Sequence, residues 1–227
     1  MNYTLVILGV ILLVIIYILY KVISEQGKVI SKKVDLSNSN GTISYSTLSN
    51  PKSSRYSMSI WVYIDTLNPT TQTEIFKVQN SGNTVMRLYV DPDTTLKYEI
   101  DTTANGMVTH EVMTNFPLQK WAYVIISVDN KIVDLYVDGK LIRSTQLDTM
   151  PTVTSKDSNV SYGLCTSGCK GYISKFERLP RPMDPSTAWS KYMDGNGGNY
   201  FSKLLSSYGG RVTITKDDLD LRQFTLF

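Results

Sequence analysis

"WAYVIISVDNKIVDLYVDGKLI" runs from Trp121 to Ile142, and its spacing decides the fold. Side chains alternate across an extended chain, so Trp121, Tyr123 and Ile125 share one face and Ala122, Val124 and Ile126 share the other. Both faces are apolar, which predicts a central strand covered on both sides. Asp138-Gly139 is a favoured two-residue hairpin turn, because both central positions need positive φ. In the register that such a turn sets, Val137 faces Lys140, Leu135 faces Ile142 and Asp134 faces Arg143. The last pair is an opposite-charge contact on the solvent face, worth about 0.2–1 kcal/mol.

Working outward, short apolar stretches recur between turn signals. "YSMSIWVYID" (56–65) alternates, with Met58, Ile60, Val62 and Ile64 on one face. "EIFKV" (74–78) and "TVMRLYV" (84–90) flank the hairpin signal "QNSGN". "TLKYEI" (95–100) sets Leu96, Tyr98 and Ile100 together, and "TTANG" turns the chain into "MVTHEVM" (107–113). Short strands with turns every 8–12 residues or so indicate an all-β sandwich or barrel. Fifteen tyrosines against six phenylalanines suit half-buried pleated surfaces. One short helix is expected in "RPMDPSTAWSKYMDG" (181–195). Asp184 is a natural N-cap, Pro185 suits the first turn and Gly195 the stop. Trp189, Tyr192 and Met193, at i, i+3 and i+4, are expected to pack down together.

The N-terminus is of another kind. "YTLVILGVILLVIIYILY" (Tyr3–Tyr20) has no charge, and eighteen residues at about 1.5 Å each give about 27 Å, close to the hydrocarbon thickness of a bilayer. No basic n-region precedes it and no small-x-small cleavage site follows, so it reads as a retained anchor rather than a signal peptide. Lys21, Lys28, Lys32 and Lys33 follow the span and none precedes it. The positive-inside tendency then places the remaining chain on the cytosolic side. The expected organisation is a transmembrane anchor over 1–22, a linker or stalk with an outer strand over 23–54, a sandwich over 55–195 and a tail over 196–227. That tail alternates from Arg211 ("RVTIT") and is expected to add a strand to its own sheet or a neighbour's. A net charge of +3 scattered along the chain is too little to suggest a nucleic-acid binder, and nucleic acid is not expected as a partner.

"SMSIWVYI" (57–64), "FPLQKWAYVIISVDNKIVDLYVDGKLIRSTQL" (116–147) and "GYISKFERLPRPMDPSTAWSKYMDG" (171–195), in that order, resemble the laminin-G-like members of the concanavalin A-like lectin/glucanase superfamily. The resemblance implies a two-sheet antiparallel jelly-roll sandwich of about a dozen strands, here all-β and preceded by one N-terminal transmembrane helix. The layout of anchor, short linker, one such domain and polar tail is similar to virion proteins of nucleocytoplasmic large DNA viruses. It implies a minor capsid or membrane-associated virion component that links the inner membrane to the shell, with the bilayer and capsid proteins as partners. The alternative that the superfamily offers is a glycan-binding, lectin-like membrane protein, for which Tyr162, Tyr172 and Tyr200 are the candidate contacts.

Chemistry is sparse. The related glucanases carry Glu-x-Asp-x-x-Glu on one strand; Glu99 and Asp101 match its first two positions, but Ala104 stands at the third. Hydrolysis then lacks its proton donor, and Glu99 and Asp101 are expected on a polar outer face opposite Leu96, Tyr98 and Ile100. His110, the only histidine, sits on the alternation of Val108 and Val112 and is expected partly buried or at an edge. No catalytic residue and no cofactor are assigned. Ca²⁺ would draw on Asp91 and Asp93, yet that ion needs six to eight oxygens, and turn formation accounts for both aspartates as it does for Asp129 and Asp138. Cys165 and Cys169 flank "TSG". Cytosolic exposure favours free thiols; the thiol oxidases that the resemblance brings with it favour a disulfide staple.

Overall fold

The computed structural model describes residues 3–24, 33–36, 41–48, 50–164, 168–196, 211–216 and 219–225. Helix α1 spans Tyr3–Ser24. The strands are β1 (Val34–Asp35), β2 (Gly41–Ser44), β3 (Arg55–Thr66), β4 (Thr73–Asn80), β5 (Asn83–Val90), β6 (Leu96–Thr102), β7 (Gly106–Met113), β8 (Trp121–Asp129), β9 (Ile132–Val137), β10 (Lys140–Gln146), β11 (Asn159–Leu164) and β12 (Lys170–Leu179), followed by helix α2 (Pro185–Met193), β13 (Arg211–Lys216) and β14 (Leu219–Thr225). Two six-stranded sheets form, ordered β1-β12-β3-β8-β9-β10 and β2-β11-β4-β5-β6-β7. Every pairing within them is antiparallel. The fold is therefore an all-β, two-sheet antiparallel sandwich, one of the two architectures that the alternation allows and the one that the resemblance implies.

The core fills the space between the sheets. Met58, Ile60, Val62 and Ile64 from β3 meet Met86, Leu88 and Val90 from β5 and Leu96, Tyr98 and Ile100 from β6. Leu36, Tyr45 and Leu48 belong to the same core, so the stretch from 34 to 48 contributes two strands and three buried anchors to the sandwich. β8 lies between β3 and β9. Its Ala122, Val124, Ile126 and Val128 face the core, while Tyr123 and Ile125 join Trp61, Tyr136, Met183 and Ala188 in a second cluster under α2. The expectation of a central strand covered on both sides holds for a specific reason: a helix roofs its outer face.

Local chemistry secures that roof. The Asp184 carboxylate accepts from the Thr187 N–H at 2.9 Å and caps α2, with Pro185 in its first turn. Tyr136 donates its hydroxyl to the Met183 carbonyl at 3.1 Å, and the Met183 N–H donates to Ser127 Oγ at 2.9 Å. Two expectations are corrected here. Trp189, Tyr192 and Met193 do not pack down together. Ala188 is the fully buried residue of α2, Tyr192 stacks on Trp61 at 5.7 Å, and Trp189 and Met193 are 46% and 62% exposed. Helical spacing defines a stripe but not its azimuth, and the large rings of Trp61 and Tyr123 already fill the sheet face, so the helix seats on its smallest side chain. The β9–β10 register also differs. Val137 faces Lys140 as expected, but Leu135 faces Arg143 and Asp134 faces Ser144, because a bulge at Ile142 shifts the ladder by one. A bulge re-aims and twists an edge strand, and β10 is the edge of its sheet.

The tail forms its own structure. β13 and β14 pair with each other, separately from both large sheets. The N-terminal transmembrane helix expected over 1–22 is not found: among the described residues no helix is long and apolar enough to cross a membrane. Of α1, side chains are described from 8 to 18, and all of the large apolar ones there are 48–68% exposed.

Gly171 lies in β12 across from Ile64 of β3. A Cβ there would lie 2.5 Å from the Tyr63 carbonyl oxygen and 2.8 Å from Leu36 Cδ1. Overpacking of this kind costs about 1–3 kcal/mol. Gly171→Ala is expected to lower the unfolding free energy by that amount in urea titration; an unchanged midpoint would show that β12 and β3 do not meet as described.

Candidate functional site

The outer face of the second sheet holds the residues that the glucanase comparison singles out. Alternation along β6 sends Leu96, Tyr98 and Ile100 inward and leaves Lys97, Glu99 and Asp101 on the half-buried outer side. β5 and β7 flank β6, and Arg87 and Thr109 lie directly across from Glu99. Arg87 grips Glu99 with two hydrogen bonds of 2.6 and 2.8 Å and donates a third to Glu74 at 3.2 Å. Tyr89 and Thr109 donate their hydroxyls to Glu99 at 3.0 and 3.3 Å. The Arg87 guanidinium also lies 4.5 Å above the Tyr89 ring.

This network fixes the ionisation states. The Arg87 hydrogen bonds hold the Glu99 carboxyl below its ordinary range, assisted by the Tyr89 hydroxyl and opposed by partial burial. Tyr89, 2% exposed, has its hydroxyl pushed up to about 12 by burial, then by its hydrogen bond to Glu99 and by that carboxylate's charge. A general acid must carry a proton near its working pH. Glu99 carries none, and its lone pairs are already occupied by three residues. Asp101 shares the face, but Ala104 lies in the turn beyond β6 and brings no second glutamate.

The remaining candidates separate. The Asp91 carboxylate pairs with Lys97 at 2.7 Å, and Asp93 accepts the Thr95 N–H at 2.9 Å, the geometry of a turn. Among the described residues no three His, Cys, Asp or Glu side chains gather as a metal site would require. Asp129 is held by Arg55 at 2.7 and 3.1 Å, and Asp138 accepts the Tyr123 N–H at 2.9 Å. Cys169 is disulfide-bonded, and Cys165 lies outside the described residues. Tyr162 packs its ring over Gly41 and against the core, so it presents no free platform. Tyr200 lies outside the described residues. Tyr172 is half-buried on the outer face of the first sheet, with Lys33 Nζ 3.6 Å above its ring and Tyr63 6.2 Å away. Tyr63 in turn meets Trp121 at 5.7 Å.

A cavity of about 180 Å³ opens at the edge where β7 approaches the end of β10, lined by Thr102, Asn105, Val108, His110, Gln146, Leu147 and Asp148. His110 stacks on Tyr98 at 5.0 Å, and its Nε2 is buried without a hydrogen-bond partner among the described residues. Sequence reasoning missed the Arg87–Tyr89 grip on Glu99 and the Tyr172–Tyr63–Trp121 row. The first was readable as an Arg-x-Tyr strand beside a Glu-bearing one, once the hairpin register is known. The second joins residues far apart in the chain and had no local signal.

A family model described as the concanavalin A-like lectin/glucanases superfamily matches residues 37–186. None of the curated proteins matches the sequence. Among solved structures, the binding domain of botulinum neurotoxin serotype G aligns with a TM-score of 0.57 and 14% identity over 75% of this chain and 47% of its own. The ligand-binding domain of serotype D in complex with N-acetylneuraminic acid aligns with a TM-score of 0.55 and 16% identity over 71% and 42%. The binding domain of neurotoxin DC in complex with rat synaptotagmin II aligns with a TM-score of 0.57 and 14% identity over 74% and 45%. The chain thus spans less than half the length of each, and the likeness is one of fold.

Burial and then the nearby Arg143 push the His110 imidazole below its ordinary value of 6.5, against a smaller opposing pull from Asp148. The folded state therefore favours the neutral ring. Its contribution to stability is complete above the unfolded value and is lost as pH falls from there through the folded one. Since the chain has one histidine, a single imidazole resonance is expected to titrate with a midpoint below 6.5. A midpoint at or above 6.5 would contradict the burial.

Proposed function

Because the chain belongs to the concanavalin A-like lectin/glucanase superfamily, we propose that it is a non-enzymatic, membrane-anchored binding protein whose sandwich grips other macromolecules. The observation that carries this reading is the Arg87–Glu99 grip. Of the two carboxylates in the glucanase positions, Glu99 is ionised and bidentately bound by Arg87 and Ala104 stands where the acid partner would be, which supports binding over hydrolysis. The anchor rests on the sequence alone, in which the stretch from Tyr3 to Tyr20 is uncharged and apolar. The lysines after it favour the sandwich on the cytosolic side. The layout accords with a virion component that ties an internal membrane to a protein shell, with capsid proteins as partners.

A second reading, glycan binding, draws on one observation. The Tyr172 ring stands beside Tyr63 and Trp121 rather than alone, and a solved structure of similar fold is a complex with N-acetylneuraminic acid. Aromatic faces suit sugar stacking, but this row is half-buried and lies on the helix-bearing side of the sandwich.

Alkaline carbonate extraction of membranes or purified particles that contain the full chain, followed by protease digestion of sealed vesicles, tests the first reading. The chain is expected to stay in the pellet with its first twenty residues retained and the sandwich on the cytosol-derived side. Release into the supernatant, or a mature chain lacking those residues, contradicts it, as does β-glucan turnover that disappears in Glu99→Gln.

A further inference from the structure

The two outer faces of the sandwich differ in kind. That of the second sheet is closed by ion pairs: Arg87 with Glu99 and Glu74, Lys97 with Asp91. That of the first sheet carries rings. Tyr172, Tyr63 and Trp121 form a row across β12, β3 and β8, with neighbouring centroids 6.2 and 5.7 Å apart. At the end of that row lies the Asp138–Gly139 turn, joined to β8 by the Asp138–Tyr123 hydrogen bonds. Against Gly139 sits Trp189, so close that a Cβ on the glycine would lie 3.0 Å from its ring. Beyond it are Met193 and Leu141. Trp189, Leu141 and Met193 are 46%, 48% and 62% exposed. One end of this face therefore combines half-buried amphipathic rings with exposed apolar side chains; Lys33, Lys120 and Lys170 are exposed and Asp35 and Asp65 half-buried on the same strands and their flanks, and Lys120 pairs with Asp138 at 3.7 Å.

This face is near α1 along the chain. Nine residue steps separate Ser24, the last residue of α1, from Lys33, which lies over the Tyr172 ring. At full extension they reach about 30 Å. Resting on the proposed anchor, we infer that the sandwich lies against its own bilayer through this face, with Tyr63, Trp121, Tyr172 and Trp189 in the headgroup layer. The chemistry fits that occupant. Tyrosine and tryptophan rings, apolar in the body and polar at the tip, concentrate where acyl chains meet water. Lysine stems lie along apolar surface and carry their charge to the phosphates. Met193 and Leu141 gain by leaving water. The opposite face fits less well: Arg87, Glu74, Glu99, Lys97 and Asp91 fill its middle with ion pairs, which cost desolvation on contact, whereas the Lys120–Asp138 and Lys191–Glu177 pairs of the first face lie beside its rings.

The chain holds three tryptophans. Trp61 is 6% exposed in the cluster under α2, and Trp121 and Trp189 belong to the patch, so tryptophan emission reads the proposal directly. The full chain is reconstituted into vesicles of phosphatidylcholine and phosphatidylserine, with and without headgroup spin-labelled lipid. We expect labelled lipid to lower the emission about twofold, since two of the three fluorophores would lie at the label's depth. Trp121→Phe and Trp189→Phe each remove part of the quenching, and the double variant removes it while near-ultraviolet dichroism from Trp61 reports an intact fold. A chain that stays with the vesicles in carbonate but shows unquenched emission, or equal quenching in the double variant, overturns the seating and leaves the anchor standing. A chain that never partitions overturns both. Emission that changes with sialylated glycans or with protein concentration, and not with labelled lipid, assigns the patch to sugar or to a second copy and overturns the proposal.

Discussion

β8 is apolar on both faces, and that constraint organises the domain. A strand in an ordinary antiparallel sandwich needs one face covered. Ala122, Val124, Ile126 and Val128 bury against the opposite sheet, but Tyr123 and Ile125 need a second cover. α2 provides it, held by the Asp184 cap and by the Tyr136–Met183–Ser127 hydrogen bonds. The consequence is asymmetry. One outer face of the sandwich is committed to a helix and its rings; the other stays open and polar.

That asymmetry separates the chemistry of the superfamily from the surface of this chain. The open face is where alternation places Glu99 and Asp101, and there the structure spends Glu99 on Arg87, Tyr89 and Thr109. An ionised carboxylate with this many donors stabilises charge within the sheet and has no proton to give. The helix-bearing face is built mainly from rings, with the Lys191–Glu177 and Lys120–Asp138 ion pairs at α2 and at the β9–β10 turn, and such a surface works largely through area and shape. Under the proposed function, the work of the domain lies in what it rests on and what it holds.

Much of this was legible in the sequence. The alternation of Met58, Ile60, Val62 and Ile64, the two-sided strand from Trp121 and the turns at Gly82 and Gly139 each carry their own physical signal, and together they give the sheets. Asp184, Pro185 and Gly195 define α2 because capping is local. The misreadings arose where a decision is tertiary. The bulge at Ile142 that shifts Leu135 onto Arg143 has no mark in an alternating pattern. The azimuth of α2, which exposes Trp189 and buries Ala188, depends on Trp61, more than a hundred residues away. The site was less legible for the same reason. Glu99 and Asp101 were visible as a partial motif, but their partners come from neighbouring strands, and the row of Tyr63, Trp121 and Tyr172 exists only after β3, β8 and β12 have paired.

Native-state hydrogen exchange of the full chain tests the two-sided burial of β8 most directly, since a strand sealed by core and helix can lose protection only when the domain unfolds. The account predicts that the amides of β8 and β3 exchange last, with an opening free energy equal to that of global unfolding, while those of the edge strands β7 and β10 exchange earlier. Exchange of β8 through a small local opening shared with those edges would contradict it.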